Sequence, residues 1–165
     1  MQDNDRRTIS YVATGLTKGT TSTYTTTATT ETAIDGKRST GLAAQTNTAT
    51  PTTDARTSAA FVAQTDNTVC VYVFGITAAG AIAVCQGPSE PTETGVTTTA
   101  GAFKNRPQFP VLPDNFCPIG YLFVRTAPSA SDFTFGTSNW DATGVTSSAV
   151  VEVDGQLPSR PQALP

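Results

Sequence analysis

The chain has 165 residues, with 10 basic and 13 acidic side chains and no histidine. Without imidazole there is no Ser-His-Asp or Cys-His catalysis and no His-ligated metal. A net charge of −3 with scattered arginines argues against binding a phosphate backbone, and no apolar run is long enough to span a membrane.

The opening residues, Met1-Gln2-Asp3-Asn4-Asp5-Arg6-Arg7, are polar and do not read as a signal peptide. There are 32 threonines, and Val plus Ile outnumber Leu 18 to 6. β-Branched side chains lose rotamer freedom in helices and pack well on pleated surfaces, so this composition predicts an all-β fold.

Residues 1–56 are poor in large apolar side chains, so they cannot bury themselves alone. They are expected to form a Thr-rich arm and hairpin lying on the core or on a neighbouring molecule. From Thr20 to Ile34 the pattern has period two, with Tyr24, Ala28 and Ile34 on the apolar side, and it predicts one half-buried strand. Asp35-Gly36 then signals a two-residue hairpin, because both turn residues need positive φ. A mucin-like stalk would carry proline among the threonines, and only Pro51 stands there, at the end.

Residues 57–154 are the predicted core. Strands are expected over 68–76 and 81–86, around a turn at 77–80. Val69, Val71 and Val73 would face one way, and Cys70, Tyr72 and Phe74 the other. Both sets are apolar, so the strand should be central. A turn centred on Ala78-Ala79 would pair Tyr72 with Cys85, which disfavours a Cys70–Cys85 disulfide. Cys70, Cys85 and Cys117 are expected as buried, reduced thiols. Residues 88–118 contain six prolines and predict a long extended crossing outside any central strand. Three more strands are expected over 119–126, 132–136 and 148–153. Residues 155–165 form a proline-punctuated, extended tail. The expected architecture is an antiparallel β-sandwich or barrel with an extended N-terminal arm.

Catalytic chemistry has few candidates. Paired carboxylates could be drawn from Asp114, Asp132, Asp141, Glu152 and Asp154, but Asp favours turns. Lys18, Lys37 and Lys104 could serve a Ser–Lys dyad, yet each sits in polar sequence where a solvated lysine is the default. Asp3-Asn4-Asp5 lacks the rest of a calcium loop. No cofactor or metal is expected. Trp140 is expected as a core anchor, and together with Tyr121 it is the obvious pair for an aromatic sugar platform.

The stretch from Pro107 to Val124, then Phe133 to Gly144, resembles small virion structural proteins of tailed bacteriophages. So does the Thr- and Ala-rich first half with its Asp-Gly turn. The resemblance implies a non-enzymatic capsid decoration (cement) protein on the outside of the shell. It would act as a trimer on the major capsid protein and bridge neighbouring subunits, without nucleic acid or membrane. Such a protein is made in the host cytoplasm and resides in the virion. Low charge and extended segments suit that role, since burying unpaired ions is costly. The expected partner-binding residues are Arg6, Arg7, Ile9 and Tyr11 of the N-terminal arm, and Leu157, Arg160 and Leu164 of the tail. The alternatives are a tail or fibre component or carbohydrate-binding module, and a hydrolase built on the carboxylates.

Overall fold

The computed structural model describes residues 7–39, 41–130 and 132–162. Its described residues form β-strands and no helix: β1 (Ile9–Ser10), β2 (Thr17–Lys18), β3 (Thr23–Thr26), β4 (Thr32–Ile34), β5 (Lys37–Arg38), β6 (Gln45–Ala49), β7 (Thr68–Thr77), β8 (Ile82–Gln86), β9 (Glu90–Pro91), β10 (Phe116–Thr126), β11 (Val145–Ser147) and β12 (Val151–Glu152). All strand pairs are antiparallel. They make a six-stranded central sheet and two three-stranded sheets, β1-β4-β5 and β2-β3-β6, and none closes into a barrel.

The central sheet runs β11-β10-β7-β8, with β12 also on β10 and β9 also on β7. Its two long strands are apolar on both faces, as their sequences require. Cys70, Tyr72, Phe74, Ile119, Leu122 and Val124 point to one side, where Leu16, Tyr24, Phe61, Phe133, Phe135 and Trp140 cover them. Val69, Val71, Val73, Tyr121 and Phe123 point to the other, against Val153, Phe109, Leu112 and Leu157. The sheet is therefore a middle layer, and both of its faces are covered by segments with little regular structure.

Segments of the first third also touch both of its margins. Ala55 donates to the Val84 carbonyl at 2.8 Å, and the Gln86 amide donates to the Asp54 carboxylate at 2.7 Å, along β8. On the opposite margin, Glu152 accepts from the Leu16 amide at 2.8 Å. Segments from the first third thus occupy positions where bare strand edges would invite another chain.

The Asp35-Gly36 hairpin forms as expected, with φ of 50° and 74° and Ile34 opposite Lys37. The predicted strand over Thr20–Ile34 does not run unbroken. Its alternation holds through β3, where Tyr24 and Thr26 are buried, but breaks in β4, where Thr32, Ala33 and Ile34 are all buried. The backbone turns between β3 and β4, however, because the Thr27 and Ala28 amides both donate to the Thr14 carbonyl. The two halves therefore join different sheets.

The turn after β7 is Ala78-Ala79-Gly80, with Gly80 at φ 77° and its amide donating to the Thr77 carbonyl at 2.8 Å. This places Cys85 opposite Val73, one residue from the expected register. Cys70 and Cys85 then face opposite sides of the sheet, and all three cysteines are free and buried.

β10 begins at Phe116, so Pro118 lies inside a central strand after all. The register shifts between Pro118 and Gly120, a bulge that accommodates the missing donor. Opposite Pro118 stands Gly75, where a Cβ would lie 2.4 Å from the Phe116 ring. The expected strand over 132–136 is absent; only Phe133 bridges Gln64, and Phe133 and Phe135 are buried by ring packing instead. The expected strand over 148–153 shortens to β12, and β11 precedes it on the same side of β10.

Candidate functional site

The residues expected to bind a partner fall in two places. The first is a seam where early and late parts of the chain meet. Ile9 pairs with Ala33, and Ser10 exchanges backbone hydrogen bonds with Gly155 at 3.2 and 3.0 Å. Gly155, β1, β4 and β5 thus lie side by side. Tyr11 leaves this seam with its amide on the Glu31 carbonyl and 52% of its surface exposed; Val12 beside it is also exposed. Arg7 is exposed, and its carbonyl accepts from the Gly36 amide at 3.2 Å. Ile9 and Leu157 are half-buried.

A cleft of about 760 Å³ opens beside the seam, walled by Thr8, Ile34, Lys37, Leu112, Phe116 and Leu157. Its walls come from the hairpin, the proline-rich crossing and the C-terminal segment. The second place is the exposed Arg160, which lines a separate hollow with Arg106, Pro107 and Phe109. Arg6 and Leu164 lie outside the described residues, as does Asp3-Asn4-Asp5.

Asp114 is exposed on the rim of the cleft, and Asp132, Asp141 and Asp154 are exposed. Glu152 is committed to the Leu16 amide and the Thr14 hydroxyl. Among the described residues the buried carboxylate is Asp54, which was not among the candidates above. It accepts from the amides of Arg56, Thr57 and Gln86 at 2.8, 3.0 and 2.7 Å. An Asp followed by Ala-Arg-Thr reads as an ordinary turn, and nothing local announces the third donor from β8.

Lys18 departs from the solvated default. Burial lowers its pKa, and its ammonium donates to the Ser147 hydroxyl and to the Ser147 carbonyl at 3.3 Å. The carbonyl contact makes it a strap from β2 to β11, since a cation that donates to both oxygens ties the two segments together. The aromatic pair offers no platform: Trp140 is 4% exposed and Tyr121 1%. The Trp140 Nε1–H donates to the Thr23 carbonyl at 3.1 Å, and the Tyr121 hydroxyl accepts from the Gln162 amide at 3.1 Å. Burial pushes the thiols of Cys70, Cys85 and Cys117 up to about 12. No cluster of His, Cys, Asp and Glu among the described residues could hold a metal ion.

The arrangement therefore offers shape and hydrogen bonding at its surface. Comparison with family models, curated proteins and solved structures finds no match for the chain.

Proposed function

We propose that the chain is a non-enzymatic virion structural protein of the tailed-bacteriophage kind, a decoration protein that cements the outer capsid shell. The observation that carries this reading is the seam. The segments the sequence marks as contact arms lie together at Ser10–Gly155, and Tyr11 and Val12 stand exposed beside them. A partner gripping this margin engages both segments at once. The central sheet is covered on both faces and contacted along its margins, so docking uses surface segments and leaves the core intact. Trimers of this protein would present three such margins to neighbouring major capsid subunits, and binding would rest on apolar area and a few backbone hydrogen bonds.

The deciding experiment counts copies of the protein per purified particle by quantitative mass spectrometry. Hundreds of copies support the shell; a handful would place it in the tail or fibre and overturn the reading. The contact itself is tested by adding purified protein to shells that lack it. Tyr11→Asp with Val12→Asp should abolish cosedimentation while leaving the circular dichroism spectrum unchanged. Undiminished cosedimentation would remove the seam from the interface.

A further inference from the structure

On the side of the sheet opposite the aromatic cluster, the proline-rich crossing and the C-terminal segment run next to each other. Between them are two adjoining hollows, of about 310 and 410 Å³, that share Arg106, Pro107 and Pro161. The apolar part of this groove comes from Phe103, Phe109 and Phe123 with the two prolines. Its charge comes from Lys104, Arg106 and Arg160, all exposed.

This grouping is unusual for the molecule. The chain has more acidic than basic residues, yet no carboxylate lines either hollow. The ion pair present among the described residues joins Arg38 to Glu31, elsewhere on the surface. The three groove cations therefore have no carboxylate partner among the described residues. Arg125 is different: it donates to the Gly101 carbonyl at 3.0 Å and lies 5.2 Å from the Phe103 ring centre. It holds the wall in place and is already engaged.

We propose that this groove docks an extended acidic segment of a partner protein. Carboxylates would pair with the forked guanidinium groups of Arg106 and Arg160 and with the Lys104 ammonium. An apolar side chain of the segment would lie against Phe103 and the prolines. A nucleic acid fits less well, because three cations neutralise few phosphates and the whole molecule, at −3, repels a long polyanion. A short peptide touches only the positive patch. The proposal does not depend on the capsid reading, since any partner carrying such a segment satisfies it.

The test is fluorescence anisotropy on the full chain, with a labelled peptide of alternating glutamate and leucine. A lysine–leucine peptide and a single-stranded oligonucleotide are the comparators. The acidic peptide should bind saturably, weakening severalfold as salt is raised. The triple variant K104E/R106E/R160E should lose roughly tenfold or more in affinity, as charge reversal at a complementary surface does. K37E/R38E, on the hairpin, should bind as the parent does. The neutral variant K104Q/R106Q/R160Q guards against misfolding, and should keep the parent spectrum while losing affinity. No saturable binding by the parent, equal binding by all variants, or tighter binding of the oligonucleotide would each overturn the proposal.

Discussion

At the residue scale, Asp54 shows what burial demands of a carboxylate. Three backbone amides point at it, so the charge is solvated by the fold itself. Asp54→Ala orphans those donors and should lower unfolding free energy by about 3 kcal/mol, read from urea midpoints. Asp54→Asn should recover part of the loss, because one of its two terminal atoms can no longer accept. Trp140 anchors the ring cluster, 5.3 Å from Phe135 and 5.8 Å from Phe133. Trp140→Ala should cost roughly 3–5 kcal/mol in the same assay. The cysteines carry a pH signature. Burial pushes their thiols up to about 12, above the ordinary thiol value near 9. The fold therefore holds neutral thiols, while the unfolded chain ionises them first. Their contribution is complete below pH 9 and is lost as pH rises from 9 towards 12. A thiol reagent should leave all three unmodified in the native protein at pH 8 and label all three in strong denaturant.

At the element scale, the informative contrast is between turns. The Asp35-Gly36 hairpin was legible because two positive-φ positions leave few other sequences. The Ala78-Ala79-Gly80 turn was legible as a turn but not in its register. Two alanines accept either a two-residue or a three-residue loop, and Gly80 in the left-handed region decides the matter. Gly80→Ala should cost about 1–2 kcal/mol, since a Cβ there meets the following carbonyl; thermal melts of the variant would show it. Faces were read correctly in β7 because alternation alone sets them. Phe133 and Phe135 alternate in the same way, yet no strand partner takes that segment, so periodicity identified the burial and misassigned the element. Of the surface features, the exposure of Tyr11 and Arg160, both expected at a partner contact, was readable from the sequence. The groove around Lys104 and Arg106 was not, because it exists only once 103–109 and 159–161 lie together.

At the scale of the molecule, the protein is a sheet held between two irregular covers. Contacts that close it join distant parts of the chain: Leu16 to Glu152, Thr23 to Trp140, Asp54 to Gln86. Long loop closures must precede those rewards, so refolding by denaturant dilution should take milliseconds to seconds, as for other non-local β topologies. Hydrogen exchange should rank the elements by their cover. Amides of β7 and β10 should exchange slowest, near the global opening, and those of β2 and β5 fastest. A β7 that exchanged as quickly as β5 would contradict the layered arrangement.

The placement of the edge seals has a consequence for how the protein is made. Residues 14–18 and 54–55 leave the ribosome before the strands whose margins they close. At about 5–20 residues per second, the covering segments wait several seconds with nothing to cover. The waiting segments carry few large apolar side chains, so they expose little apolar surface meanwhile. The reverse order would leave two long apolar strands with bare margins until those segments arrived. Vectorial synthesis thus delivers these edge segments first, while much of the cover on the two faces, such as Phe133, Trp140 and Leu157, follows the strands. A circular permutant beginning at Thr68 and ending at Asn67, its original ends joined by a long flexible linker, should express with a larger insoluble fraction.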